Sequence, residues 1–370
     1  MTLFVLGLIF VFYVLLGYPL LVAIWSKLRP QAVVKRFTPR TVSLLLPVHN
    51  GDRWLENKLR IIRELNYPPE LLQTIVVSSA SSDRTIEIAR QHSGPQLQVL
   101  EVQEPGKARA LNAALSAATG EILFLTDVRQ ELEPDSLRTL IESFADDRVG
   151  AVSGELVIRE GGSREEASVG LYWKYEKLIR SAQSRIDSVP GATGAIYAIR
   201  RALTRPLPED TLLDDVYLPM CAYFQGYRLI WEPGAKAFDI PASLKTEFAR
   251  KVRTLAGVYQ ITGQFPRLLV PNHRLWPHFV SHKLGRLALP YALVVVLLSS
   301  FALPRPLMAP VLVAQAVFYG LGWLDRYIPD GSRLKPVCSP IGTFLVLMGA
   351  AVCATAIFFV PPDKLWRPTR

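Results

Sequence analysis

The apolar positions of this chain fall into two kinds of pattern. Four stretches carry no charge: Leu3 to Ile24, Leu287 to Leu303, Leu307 to Leu324 and Ile341 to Val360. Each has about the length that crosses a hydrocarbon core as a helix, the second and third at the short end. Between Trp25 and Arg286 the apolar runs are shorter. Val42 to Val48 is nearly continuous, as a strand buried on both faces is. Thr74 to Val77, Leu97 to Val102 and Ile122 to Thr126 predict further strands. Helical spacing lies between them. Trp54 to Leu65 stops before Asn66-Tyr-Pro-Pro69, and Ser81, Ser82 and Asp83 offer N-caps for a helix reaching His92. Gly106 to Ala118 and Pro134 to Phe144 are the next two helices. Strands and helices alternating at this spacing predict an α/β fold with a parallel, doubly wound sheet.

After Gly150 the rhythm changes. Val152 to Ile158 is a strand, Gly161-Gly162 begins a loop, and Val169 to Arg185 is a long helix. Pro190 to Ala195 is a small-residue turn leading into a short strand, Ile196 to Ile199. Leu212 to Phe224 opens with Asp214 and Asp215 and reads as a helix, and Tyr227 to Glu232 as a strand. From Ser243 to Ile261 an apolar stripe of Leu244, Phe248, Val252, Leu255 and Tyr259 runs beside Arg250, Lys251, Arg253 and Thr254. A basic amphipathic helix of this kind lies in a membrane interface. The pattern divides the chain into a transmembrane helix over 1–25, an α/β domain over 40–242, interfacial helices over 243–283 and a C-terminal transmembrane region over 284–362 of about three segments.

Composition sharpens this reading. Half of the 370 residues are hydrophobic, which is too apolar for an ordinary soluble enzyme. The first stretch is no signal peptide, because no charge precedes Lys27. The basic residues follow it, at Lys27, Arg29, Lys35, Arg36 and Arg40, which places the middle domain in the cytoplasm. One span before that domain and three after it put the tail outside, although Lys364, Arg367 and Arg370 favour the cytoplasm. The Pro290-containing segment Leu287 to Leu303 is the candidate for a re-entrant stretch. The net charge of +10 comes without a basic, aromatic-interleaved repeat, so it points to membrane lipids and a diphosphate-bearing substrate, with no nucleic acid partner. Cys221, Cys338 and Cys353 have no paired spacing and read as small apolar residues. The oligomeric state is not encoded in any pattern of this kind.

Several residues cluster at the carboxyl ends of the predicted strands, where open α/β sheets bind ligands. Asp83 and Asp127 follow strands, and Lys107 begins a helix, with Arg109 close by. A helix N-terminus with a cation attracts phosphate. Asp214 and Asp215 begin another helix; Asp214 can cap it, which leaves Asp215 as the better general base. Gly191, Thr193 and Gly194 lie in a turn small enough for a sugar to approach its backbone. Arg250 and Arg253 share a helical face suited to phosphate or to lipid headgroups. Asp83 reads equally as a helix cap. His49 reads as a packed strand-end residue, and His273, His278 and His282 do not have the spacing of a metal set.

In this order, these residues resemble the membrane-bound family 2 glycosyltransferases, whose members include cellulose, chitin and hyaluronan synthases. The resemblance runs over roughly Val42 to Gln264 and the flanking spans. Pro47-Val-His-Asn50 looks like the opening strand motif, with His49 for the usual Tyr and Gly51 for the usual Glu. Val76 to Thr85 looks like the second motif, with Ser79 where a nucleobase-contacting Asp is usual and Asp83 kept. Gly106-Lys107-Ala-Arg-Ala-Leu-Asn112 is a close match. Thr126-Asp127-Val-Arg129 stands at the Asp-x-Asp position, so Arg129 replaces the second acid. Leu213-Asp214-Asp215 stands at the Glu-Asp position, whose second acid is the general base. Arg250-Lys-Val-Arg253-Thr254 stands at the Gln-x-x-Arg-Trp position, with Arg253 kept.

The resemblance implies a GT-A-type, Rossmann-like domain with flanking transmembrane helices, at the cell membrane with its catalytic domain in the cytoplasm. It implies inverting transfer of a sugar from a nucleotide-sugar donor to a glycan or lipid-linked acceptor. Donor contacts would come from Pro47, Asn50, Ser79, Asp83, Lys107, Asp127, Arg129, Arg250 and Arg253, and acceptor contacts from Gly191, Thr193 and Gly194. Asp215, with Asp214, would be catalytic. Asp127 would hold a divalent cation, Mg2+ or Mn2+, or the donor ribose, while Arg129 opens the alternative of a fixed charge in place of a metal ligand. Ser79 loosens any preference for uracil, and Thr254 disfavours processive synthesis. The competing expectation is a catalytically degenerate member that serves as a binding or assembly subunit of a polysaccharide export system.

Overall fold

A computed structural model of the chain describes residues 1–159, 164–240, 244–329 and 331–365, with side chains at 164–173, 244–246 and 363 outside the description. The expected Gly161-Gly162 loop, Ser243, Arg367 and Arg370 lie outside the described residues. The chain divides into two compact units, Gln31–Arg159 with Ser184–Ile240, and Met1–Pro30 with Glu160–Gln183 and Pro241–Arg370.

The first unit is built on one sheet. Its strands are β1 (Val42–Val48), β2 (Leu72–Ser79), β3 (Leu97–Val102), β4 (Ile122–Leu125), β5 (Glu131–Leu132), β6 (Val149–Ile158), β7 (Tyr197–Arg200) and β8 (Arg228–Asp239). They lie in the order β3-β2-β1-β4-β7-β6-β8-β5. The apolar run of β1 is central: Val42, Leu44, Leu45 and Leu46 are fully buried between parallel β2 and β4. The expectation of a parallel sheet holds for β3, β2, β1 and β4 and again between β6 and β8, and fails at β7 and β5. β7 runs antiparallel to both β4 and β6, and β5 antiparallel to β8, so the sheet is mixed. Strict strand–helix alternation, which enforces parallel pairing, ends at β4; β5 and β7 enter from loops. β8 also runs past the expected stop at Glu232. The ladder with β6 slips between Ser153↔Trp231 and Glu155↔Lys236, and Pro233 and Gly234 fall inside that bulge.

The second unit is helical. Thr2–Leu28, Trp276–Ser300, Arg305–Tyr327 and Lys335–Phe358 are long and apolar enough to cross a membrane. Small residues let the first two pack closely: a Cβ on Gly7 would fall 2.7 Å from Val296 Cγ2. Pro290, in the segment expected to be re-entrant or interfacial, does not interrupt its helix. Pro290 lies inside the helix Gly285–Ser300, where apolar surroundings favour continued helix over exposed backbone. His278 Nδ1 lies 2.9 Å from the Tyr18 hydroxyl, which accepts from Gln183 Nε2 at 2.7 Å. The basic helix spans Leu244–Gln264. Cys221 and Cys338 are buried and Cys353 is exposed, all as free thiols.

One contact in the α/β unit sets how β4 joins β1. At Gly120, just before β4, a Cβ would sit 2.5 Å from Ser43 N and 2.6 Å from Val42 C, both backbone atoms that cannot yield. Gly120→Ala is expected to destabilise the protein by about 1–3 kcal/mol, as overpacking does. Chemical denaturation of the full chain in detergent checks this; an unchanged midpoint would contradict the close approach.

Candidate functional site

The strand order reverses around β1: the chain adds β2 and β3 on one side, then places β4 on the other. Ligand crevices in open α/β sheets form outside the carboxyl ends at such a switch point. Here β1 ends at Pro47 and Val48, and β4 leads into Thr126 and Asp127. Two residues beyond these strand ends adopt the left-handed conformation, Asn50 with φ 49° after β1 and Ala80 with φ 47° after β2. An Ala in that region is strained, by about 1–2 kcal/mol, and such strain gathers where surrounding contacts dictate geometry.

Those contacts are explicit. Asn50 N donates to Ser81 Oγ at 3.1 Å, and Asn50 Oδ1 accepts from Ser82 N at 2.8 Å. Asp83 Oδ2 accepts from Asp52 N at 3.1 Å, and its Oδ1 from Thr85 N at 3.0 Å. Asp83 thus ties the β1 loop to the start of the helix Thr85–Gln91, which is the capping role open in the sequence. Burial pushes its carboxyl up, but the Thr85 and Asp52 hydrogen bonds outweigh this and hold it below the ordinary range. Ser79 is buried, and its hydroxyl accepts from Gly106 N at 3.1 Å. Gly106 has φ 148°, a conformation reserved for glycine, and it delivers the chain into the helix Lys107–Ala117.

Lys107 is the first residue of that helix. Its Nζ lies 2.9 Å from Asp127 Oδ1 and 3.1 Å from Asp214 Oδ1. Burial would lower the lysine's pKa, but Asp127 and Asp214 reverse the effect and hold it above its ordinary value. The ammonium is therefore charged at any working pH. One cation joins the loop after β4 to the helix Asp214–Tyr223. Asp215 follows directly. Its Oδ2 accepts from Gly194 N at 3.0 Å, and its carbonyl accepts from Ala192 N at 2.7 Å. Gly191, at φ 152°, is required here, since a Cβ would lie 2.9 Å from Val216 Cγ2, and Gly194 packs closely, a Cβ there falling 3.2 Å from Asp215 Oδ2. Thr193 N donates to Ser153 Oγ at 2.9 Å, which fixes the turn on β6.

The loop after β4 has a second anchor. Arg129 Nη2 lies 2.6 Å from Asp239 Oδ2, and Gln130 Nε2 donates to the same oxygen at 2.9 Å. Lys58 is fully buried and donates to Thr126 Oγ1 at 2.8 Å and to Gln130 O at 2.7 Å. Sequence reading passed over Lys58. The signal was present, because Lys58 shares the inward helical face with Leu55, Leu59 and Ile62, where a lysine is out of place. Asp239 gave none, lying beyond the expected end of β8.

The α/β unit thus contains Pro47, Asn50, Ser79, Asp83, Lys107, Asp127, Arg129, Gly191, Thr193, Gly194, Asp214 and Asp215. Arg250 and Arg253 belong to the helical unit, on Leu244–Gln264. There Arg250 Nη2 pairs with Glu247 at 2.6 Å. Among the described residues, no group of three or more His, Cys, Asp or Glu side chains is placed to hold a metal ion.

Comparison with known proteins gives the fold a family. Residues 43–207 match the profile of glycosyl transferase family 2, and residues 128–324 that of glycosyl transferase family group 2. The chain is 25% identical over 248 residues to a probable glycosyltransferase, YdaM, of Bacillus subtilis, covering 60% of this chain and 56% of that protein. It is 24% identical over 266 residues to the poly-beta-1,6-N-acetyl-D-glucosamine synthase of Staphylococcus aureus, covering 66% and 64% respectively. The chain therefore spans less than two thirds of the length of either relative. Among solved structures, the mannosyltransferase PcManGT of Pyrobaculum calidifontis, in complex with GDP-Man and Mn2+, superposes with a TM-score of 0.75 at 25% identity, over 96% of this chain and 98% of that one. The α/β unit has the GT-A fold of these neighbours.

Lys58 yields a pH prediction. Burial pushes its ammonium down to about 7 from 10.5, against the smaller opposing pull of Asp127. Between these values the unfolded chain holds a proton that the folded chain has released. Stability therefore rises with pH from about 7 to about 10.5 and is lowest below that window. In Lys58→Met this rise is expected to disappear, whatever the offset from the lost hydrogen bonds. Melting temperature against pH for both proteins checks it; parallel profiles would contradict a buried, depressed lysine.

Proposed function

The chain belongs to glycosyl transferase family group 2, and on that premise we propose that it is an inverting glycosyltransferase. It would move a sugar from a nucleotide-sugar donor to a lipid-linked or polysaccharide acceptor at the cytoplasmic face of the membrane. The carrying observation is Lys107 Nζ, held between Asp127 and Asp214 at the head of a helix, with Asp215 next in the chain. A departing nucleoside diphosphate needs positive charge where the C1–oxygen bond breaks. Lys107 and the first amides of its helix supply it.

The reaction is a single displacement. The acceptor hydroxyl oxygen attacks C1 of the sugar while its proton passes to Asp215. The bond from C1 to the diphosphate oxygen breaks, and its electron pair leaves with the diphosphate. Attack opposite the leaving group inverts the anomeric centre. Asp215 suits the base role because Gly194 N fixes one carboxylate oxygen, and with it the plane of the group. Asp214, paired to Lys107, is the positioning partner. Gly191, Thr193 and Gly194 shape the backbone beside which the acceptor sugar would lie. Asp127 keeps Lys107 in place and would lie beside the donor ribose.

The orientation rests on Lys27, Arg29, Lys35, Arg36 and Arg40, which follow the first membrane-length helix. The donor class follows the relatives, so GDP-mannose and UDP-N-acetylglucosamine are the first probes. With whichever donor the wild type turns over, Asp215→Asn is expected to lower kcat by about 10²–10⁴, the range of general-base catalysis, and to leave nucleotide affinity unchanged. Release of nucleoside diphosphate in the presence of membrane acceptor reads this out. Turnover near the wild-type rate would remove Asp215 from the base role.

A further inference from the structure

We infer that this chain holds the donor diphosphate without a divalent cation, with the Arg129 guanidinium fixed by Asp239 standing in the metal's place. The inference rests on the reading of this sheet edge as a donor site. It starts from a misfit between the cation that the fold family uses and the side chains present here.

A divalent cation needs carboxylate oxygens left to it by the protein, in a field that tolerates two more positive charges. The loop after β4 leaves a metal one carboxylate group, Asp127, and an unfavourable field. Asp127 Oδ1 is 2.9 Å from the Lys107 ammonium, so a metal at that oxygen would have to displace a lysine that two carboxylates hold. The next acid expected along the loop is Arg129. Its guanidinium is permanently charged and repels a metal at Asp127. The remaining carboxylate, Asp239 at the end of β8, is buried, and its Oδ2 accepts from both Arg129 and Gln130. Asp127 and Asp239 are thus each already paired with a fixed cation.

The same contacts make Arg129 a competent replacement. A metal contributes a localised positive charge at a defined place. A free arginine contributes charge but loses rotamer freedom when it binds. Asp239 and Gln130 remove that cost in advance, and Lys58 holds the surrounding backbone through Thr126 and Gln130. Arg129 remains partly exposed, with 22% of its side chain open, while Asp239 is 2% exposed. The buried partner fixes the charge and the accessible one presents it. A planar guanidinium binds phosphate oxygens two at a time, so it can grip a diphosphate as a metal would.

A purely structural Arg129, bolting the loop to β8, makes a different prediction, and the test separates the two. The full-length protein in detergent is titrated calorimetrically with GDP, UDP, ADP, CDP and dTDP, once in EDTA and once in MnCl2. For the nucleotide that binds, wild-type affinity is expected to differ by less than about threefold between the two conditions. Arg129→Gln is expected to bind about tenfold or more weakly in EDTA. Arg129→Asp, which restores the acid pair, is expected to bind only when Mn2+ is present. Melting temperatures of the variants separate loss of fold from loss of the site. Mn2+ tightening wild-type binding by about tenfold or more would overturn the inference and leave the donor-site reading intact. So would unchanged affinity in Arg129→Gln, which is the structural outcome. If wild-type protein binds no nucleoside diphosphate in either condition, the donor-site reading falls and the inference falls with it.

Discussion

The candidate site depends on one ammonium between two carboxylates. Lys107 reaches Asp127 from one side and Asp214 from the other. These acids come from the end of β4 and the start of the helix Asp214–Tyr223, elements far apart in sequence. Without the cation, two partly buried carboxylates would face each other without compensation. Breaking such a group by removing one partner costs about 3–5 kcal/mol where it is well buried, and less at this depth. The position of Lys107 is itself constrained. Gly106 takes a backbone conformation that other residues avoid, and the buried Ser79 hydroxyl holds its amide. A serine at the end of β2 thus holds the backbone where a helix begins.

The reach of the sequence follows from the range of each interaction. β1 to β4 and their helices were legible because their signals are local: apolar runs, helical periodicity and Gly or Pro punctuation. The carboxylates and lysine were legible because strand ends and helix starts mark the ligand edge of any open α/β sheet. What was hidden depends on pairing across the sheet. The antiparallel direction of β7 has no local signature, and β5 is two residues long. β8 continues through Pro233 and Gly234 because the bulge against β6 absorbs them. Asp239 lay beyond that misjudged end, so the partner of Arg129 could not be anticipated. Lys58 is the instructive omission, since a lysine on an apolar helical face signals a buried charge with a structural task.

The departures from the family pattern also gain physical content. Ser79, in the place of an acid, organises Gly106. Arg129, in the place of an acid, is matched by an acid on β8. In both cases the substituted residue has partners suited to its own chemistry. The helical unit follows its own rule. Among the described residues, four membrane-length helices pack through small residues such as Gly7, and Tyr18 hydrogen-bonds Gln183 and His278 in the interior.

The central claim is that the Lys107 ammonium both holds the two acids and receives the departing diphosphate. Transfer of radiolabelled sugar from GDP-mannose or UDP-N-acetylglucosamine into membrane acceptor, by wild type and by Lys107→Gln, tests it most directly. The account predicts measurable transfer by the wild type. It predicts a fall of about 10²-fold or more in the variant, the scale of losing one charge-stabilising group, in a protein that still melts cooperatively. Transfer by a folded Lys107→Gln within a few-fold of the wild type would contradict it.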